Sequence, residues 1–344
     1  MRLDGAVAIK AVSTWLPPTR ETLADQIATG HLDGAEADRL GVTDLPVSVD
    51  LAAPQMAVRA AERVLTRADC DRAGVTLLAH AWMYHQGHDK WSPAHYVTAE
   101  LGLPATTLPV GLHELSHGGA SALQLAAATV LADPSGTALV TTADRFGPPV
   151  WDRWTSHTDI GYGDGATAAL LGGPGAGDQL RVLAMTCSTA AWLEGMERGT
   201  EEFTRSPMEG RTTLESTSRR RQFYEVHGKE SLSDAAATHV RDSLFRALDE
   251  AGLAADDPRI RLVTVPRLGP RLIGLMFLGV FESELKAELV QLGQHTGHLG
   301  AGDLLANLAD IVELGLLGPG EIAIVAAAGA GFTWSTTIVE APAQ

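Results

Sequence analysis

Cysteine is nearly absent. The 344 residues contain two, Cys70 and Cys187, too few to staple a chain of this size or to build a structural zinc site, so they read as buried thiols of a reducing compartment. Long apolar runs are missing as well. The most apolar stretches, such as Ile322–Gly331, are too short to cross a bilayer. The first residues, MRLDGAVAIKAVSTWLPPTR, hold no continuous apolar segment and no cleavage signature, so a secretory leader is not expected. Positive charge is scarce: Lys and Arg total 26 against 42 Asp and Glu, a formal net charge of −16. That balance opposes nucleic acid or an anionic membrane as a partner, although a local arginine cluster can still hold a small anion. Together these absences predict a cytoplasmic protein with neither nucleic-acid nor membrane partner.

What is present is a globular balance, 45% hydrophobic and 20% charged residues. The length suits two ordinary domains or one large fold made of two halves. Apolar runs alternate with helical patterns, which predicts an α/β fold. In the first half the strand candidates are Val7–Thr14, Gly74–His80, Thr107–Leu112, Ala138–Thr142 and Thr167–Gly172. Between them, Pro54–Ala68 reads as an amphipathic helix and Gly119–Ala132 as one apolar on every side, hence central and buried. The second half repeats the rhythm, with strands Gln179–Thr186, Arg261–Val265, Ile322–Ala327 and Phe332–Val339 and helices Ala235–Ala251 and Leu304–Leu314. The polar stretch Arg198–Gly228 reads as a surface insertion or mobile loop-helix region, and its Arg219-Arg220-Arg221 as a solvated face, an acceptor entrance or a phosphate contact.

The segment His113-Glu114-Leu115-Ser116-His117-Gly118-Gly119 admits two chemistries. Read as H-E-x-x-H it is a zinc-protease helix with a glutamate base. That reading fails on context: two glycines follow the second histidine, position 123 is Leu123, and no glutamate occurs between Glu114 and Glu194. Read around Ser116 it is a nucleophile between a strand and a buried helix, where unpaired N–H groups favour a developing oxyanion. The surroundings of Ser116 are not G-x-S-x-G, so an α/β-hydrolase elbow is not indicated. A serine at such a junction also serves as a simple N-cap.

Distant segments favour the nucleophile. Ala326–Glu340, AAAGAGFTWSTTIVE, resembles the terminal Gly-Gly-Gly-Phe-Thr-Trp segment of the β-ketoacyl-ACP synthase III family. Tyr162-Gly163-Asp164-Gly165-Ala166 resembles that family's Phe-Gly-Asp-Gly-Ala. Ala99–Ala126 resembles the stretch carrying its nucleophilic cysteine, with Ser116 at the cysteine position. The resemblance spans about Val7 to Val339 and implies a thiolase-like fold of two pseudo-duplicated αβαβα halves, here 1–174 and 175–344, normally a homodimer.

The departures from the family bear on activity. Its condensing members use a histidine and an asparagine with the cysteine. Here Pro266-Arg267-Leu268-Gly269-Pro270 puts Arg267 and Pro270 in the H-Q-A-N segment, and Gly297-His298 puts His298 at the later asparagine. His298 followed by Asp303, together with Asp144–Trp154, is similar to a subgroup from polyketide and antibiotic pathways that includes the cervimycin malonyltransferase. Those enzymes acylate hydroxyls or amines through a Cys–His–Asp triad. The resemblance therefore implies Ser116 as nucleophile, His298 as base, Asp303 as its orienting group, and the N–H groups of Ser116 and Ala330 as oxyanion hole. A serine needs such a base more than a thiol does.

The expected reaction moves an acyl group from an acyl-CoA or acyl-carrier-protein phosphopantetheine thioester, through acyl-Ser116, to a small-molecule acceptor, with no permanently bound cofactor. The alternatives are a starter-unit condensing enzyme, or an inactive scaffold or engineered Cys→Ser variant. His113, His117 and His295 remain open between pocket lining and packing.

Overall fold

The computed structural model describes residues 1–206, 209, 212, 213 and 217–343. The first half contributes β1 (Arg2–Trp15), β2 (Thr19–Thr22), β3 (Asp44–Val47), β4 (Val75–Ala81), β5 (Leu108–Leu112), β6 (Thr137–Asp144) and β7 (Gly165–Gly172). The second half contributes β8 (Leu180–Thr189), β9 (Ile260–Thr264), β10 (Glu288–Val290), β11 (Ile322–Gly329) and β12 (Thr333–Glu340). Five helices matter for the site: α1 (Ala53–Arg67), α2 (Gly118–Ala132), α3 (Thr217–His227), α4 (Ser231–Ala251) and α5 (Asp303–Glu313).

Ten strands form one sheet in the order β10-β9-β11-β12-β8-β1-β7-β6-β4-β5, while β2 and β3 pair separately. The order reads the same from both ends about the β1–β8 pair: β7, β6, β4 and β5 on one side match β12, β11, β9 and β10 on the other. This is the duplicated architecture expected from the alternating pattern, with the halves joined edge to edge by antiparallel β1 and β8. Strands β7 and β11 are buried along their whole length. That explains why they read as near-continuous runs of small and apolar residues rather than as alternation.

In α1 the buried Met56, Ala57, Ala60, Ala61, Val64 and Leu65 recur at three- and four-residue steps, and Pro54 starts the helix where its missing N–H costs nothing. Helices α2 and α5 share one core, Leu123 and Ala126 packing with Leu304, Leu305 and Leu308.

Two expectations need correction. Helix α2 is not buried all round: Ala128 and Ala132 are exposed and Leu131 is 40% exposed. Its composition resembles a central helix because its outer face is apolar too, not because protein covers it. The two cysteines are unpaired and only half-buried, not buried. The β2–β3 pair and three-residue β10 escape sequence reading because they are too short to show a period.

One close approach sets up the site. A Cβ on Gly119 would lie 2.3 Å from the Ala301 carbonyl oxygen. The start of α2 therefore packs directly against the Gly300–Gly302 turn that leads into α5. Any side chain at 119 would push the two apart.

Candidate active site

Ser116 lies in a single 3-10 turn, Leu115–His117, between β5 and α2. Leu115 has φ +49°, a left-handed conformation that a branched side chain adopts only when its surroundings enforce it. The serine does not cap α2; the residue at the cap position is His117, and no side chain caps there. Its hydroxyl instead donates to Nε2 of His298 at 2.7 Å.

His298 is held from both sides. Its N–H donates to the Gly161 carbonyl at 2.8 Å, and its carbonyl accepts from Gly163 N–H at 3.0 Å. The Tyr162-Gly163-Asp164 segment thus acts as a clamp on the imidazole's backbone. Asp164 anchors that clamp by accepting from Ser48 N–H at 2.8 Å and Phe146 N–H at 2.7 Å and pairing with buried Arg153 at 3.1 Å. Burial pushes the Asp164 carboxyl up, opposed by Arg153.

Nδ1 of His298 donates to Oδ2 of Asp303 at 2.6 Å. A carboxylate only accepts, so this bond puts the proton on Nδ1 and leaves Nε2 free to take one from Ser116. Asp303 does not cap α5. Its oxygens accept from Leu299 N–H and Arg267 N–H, each at 2.8 Å. Burial pushes its carboxyl up, but the His298 imidazole, Arg267 and the Leu299 N–H outweigh that and hold it below the usual value. Ser116, His298 and Asp303 therefore stand in one hydrogen-bonded line.

Two neighbours were missed as functional groups in the sequence. The Arg267 side chain does not line the cavity; it turns inward to Asn307 Oδ1 at 3.0 Å, Thr296 Oγ1 at 2.8 Å and Asp310 Oδ2 at 2.5 Å. Asp144 lies fully buried at the end of β6 and accepts from Met83, Tyr84 and Ala301 N–H groups at 2.8–3.0 Å. It ties the cavity wall to the turn before α5. The Asp at the head of the Asp144–Trp154 segment was in view, but its role depends on donors from two other loops.

Burial pushes Asp144 up to about 7, opposed by the Ala301, Tyr84 and Met83 N–H groups. A folded value above the unfolded one, about 4, means the native state binds this proton more tightly. The stability so contributed is full below about pH 4 and is lost as pH rises through about 7. Urea unfolding of the wild type and Asp144→Asn, stepped between those limits, is expected to show the wild type losing stability relative to the variant as pH rises. A constant difference would count against a proton on Asp144.

A cavity of about 540 Å³ opens onto Ser116 and His298. Gly329 and Ala330 complete its wall beside the serine; a Cβ on Gly329 would lie 2.5 Å from His117 N, so β11 and the serine turn meet backbone to backbone. His113 lines the cavity, with Nε2 on the Met83 carbonyl at 3.0 Å and its ring stacked on Trp82. His117 is buried behind the turn with Nδ1 on Ser121 Oγ at 3.1 Å. The two imidazoles thus hold unrelated partners, and His113 precedes the helix. His295 is on the surface, with Nδ1 2.8 Å from both Thr43 Oγ1 and Asp44 Oδ2. Of the arginine run, Arg221 is solvated, whereas Arg219 and Arg220 line the cavity. Part of the polar stretch 198–228 lies outside the described residues.

Comparison with known proteins follows the same outline. The family pattern described as 3-oxoacyl-[acyl-carrier-protein] synthase III matches residues 112–191, and the pattern for its C-terminal part matches residues 275–341. The solved structure of the acyltransferase ChlB3 is 30% identical, with a TM-score of 0.87 over 98% of both chains. The chain belongs to the 3-oxoacyl-ACP synthase III-like family of the thiolase superfamily. Beta-ketoacyl-ACP synthase III of Pseudomonas aeruginosa is 24% identical over 345 residues, 98% of this chain and 97% of the relative. OleA of Xanthomonas campestris, solved with lauric acid and lauroyl-CoA, shares the fold at 16% identity and a TM-score of 0.74, covering 97% of this chain and 99% of OleA. Synthase III-like proteins are acyl-transferring or condensing enzymes, and among the described residues no helix is long and apolar enough to cross a membrane.

Proposed function

We propose that this protein is a ping-pong acyltransferase acting through acyl-Ser116, within the subgroup that includes the cervimycin malonyltransferase. The observation that carries the reading is the unbroken hydrogen-bonded line from Ser116 through His298 to Asp303. Ser116 Oγ attacks the carbonyl carbon of an acyl-CoA or acyl-carrier-protein thioester while His298 Nε2 takes its proton. The N–H groups of Ser116 and Ala330 receive the negative charge on the acyl oxygen. Collapse breaks the C–S bond, and the proton on His298 leaves with the thiol. An acceptor hydroxyl or amine then gives its proton to His298, attacks the ester carbonyl and restores Ser116. Asp303 holds the imidazole in the required tautomer and stabilises its charged form in both halves.

The chemistry calls for no resident cofactor. The donor's phosphopantetheine arm enters through the cavity mouth, and a small natural-product acceptor follows it. The setting is cytoplasmic and the assembly a homodimer. In support of a dimer, β5 ends the sheet with an unpaired edge, Leu108 is 61% exposed on it, and the apolar outer face of α2 lies uncovered nearby.

A condensing enzyme must stabilise an enolate after decarboxylation, and Arg267, at the family's histidine position, faces away from the cavity. That favours transfer over condensation. Incubation with an acyl-CoA, followed by intact-mass measurement and peptide mapping, is expected to place the acyl mass on Ser116 with release of one thiol. No adduct and no thiol would point to an inactive scaffold; carbon dioxide release from a malonyl thioester would point to condensation.

A further inference from the structure

Tyr162 presents a polar atom to the cavity that the proposed transfer leaves unused. The residue is 4% exposed, lines the cavity, and its ring lies 5.6 Å from that of His298. Among the described residues nothing hydrogen-bonds its phenolic oxygen, which opens to the cavity rather than being sealed in protein. A hydroxyl this deeply placed ordinarily has a partner. Packing against Trp151 and Phe146 holds the ring, and the backbone beneath it is fixed as well. Tyr162 N–H donates to the Arg153 carbonyl at 2.9 Å, its own carbonyl accepts from Arg153 Nη1 at 3.3 Å, and its backbone bridges to His298. Burial pushes the phenol up, so it stays protonated and available as a donor.

The surroundings describe what the hydroxyl faces. Trp151 stands edge-on to Tyr162 at 4.8 Å, Phe146 lies 4.9 Å from it, and Tyr84 is 5.0 Å from Trp151. Phe146 is fully buried and backs the group. These rings pack against one another and hold the Tyr162 ring in place at the cavity wall. Among the polar lining residues, the Glu197–Arg220 ion pair lies close enough to bias the Tyr162 phenol. Arg220 already has Glu197 as its counter-ion, so the pair adds polarity without a free charge. The Phe-Gly-Asp-Gly-Ala form of this motif lacks the phenolic oxygen altogether.

We infer that Tyr162 is a specificity residue whose hydroxyl donates a hydrogen bond to an oxygen on the acyl group delivered to Ser116. The enzyme then selects acyl groups carrying a hydroxyl or carbonyl oxygen over plain ones of similar size. The inference rests on the acyl-Ser116 reading. Its physical basis is that an acyl group without such an oxygen expels water from this part of the cavity and leaves the phenol unpaired. Sites built to hydrogen-bond a substrate oxygen discriminate against analogues lacking it.

The test offers benzoyl-CoA, hexanoyl-CoA and the ortho-, meta- and para-hydroxybenzoyl-CoA esters to the wild type and to Tyr162→Phe, reading thiol release and acyl mass on the protein. At least one hydroxybenzoyl ester is expected to acylate the wild type faster than benzoyl. That ratio is expected to fall about three- to tenfold in Tyr162→Phe. Removing an oxygen that has no protein partner leaves packing intact, which equal melting temperatures would verify. Adducts forming with no preference in the wild type, or with the same ratio in the variant, overturn the inference and leave acyl-Ser116 standing. No adduct from any thioester overturns the acyl-Ser116 reading itself, and the inference with it.

Discussion

Ser116→Ala is expected to abolish acyl transfer, lowering turnover by on the order of 10⁴-fold or more, because loss of a nucleophile removes the covalent route rather than weakening it. The measurement is release of free thiol from an acyl-CoA together with the mass of the protein. The variant should show neither burst nor adduct, while its melting temperature stays close to wild type. Full activity in Ser116→Ala would end the covalent reading. Ser116→Cys separates two further possibilities. A thiol of ordinary pKa is partly ionised near neutrality and attacks with less help from His298. The cysteine variant is therefore expected to acylate at least as fast as wild type but to depend less on Asp303. If only the cysteine form acylates, the serine is a blocked nucleophile and the wild-type chain does not run the reaction.

Asp303→Asn is the second large effect, a loss of about 10⁴-fold in turnover with the acyl-CoA concentration dependence little changed. The carboxylate accepts from three groups: His298 Nδ1, Arg267 N–H and Leu299 N–H. An asparagine amide has one accepting oxygen and one donating nitrogen. If the nitrogen turns toward His298, it donates to Nδ1 and drives the proton to Nε2, where Ser116 needs an acceptor. If the oxygen turns there instead, an N–H points at another N–H from the backbone. Either arrangement costs something, so a modest fall in melting temperature should accompany the kinetic loss. A fall in stability without the kinetic loss would reduce Asp303 to a structural anchor. Combining Asp303→Asn with Ser116→Ala should add little further kinetic loss, since residues acting as one unit are non-additive.

Much of this architecture is legible in the sequence alone. Strands such as β7 and β11 declare themselves as short unbroken apolar runs between turn residues, and α1 by its three- and four-residue apolar steps. Ser116, His298 and Asp303 became candidates only through resemblance. In isolation a serine before a helix and an aspartate at a helix start read more readily as caps, and the structure shows neither in that role. The inward turn of Arg267, the N–H groups gathered by Asp144 and the open phenol of Tyr162 left no comparable signal. Each depends on partners from other segments.

Composition and periodicity determined the fold class, the rhythm of the two halves and the absence of a long apolar helix, because these follow from which residues recur within a few positions along the chain. Only the assembled ten-stranded sheet and the glycine contact between α2 and the turn before α5 decided the site. Ser116 and His298 are 182 positions apart, and their 2.7 Å bond is set by backbone packing between segments that carry no record of one another in their own sequence.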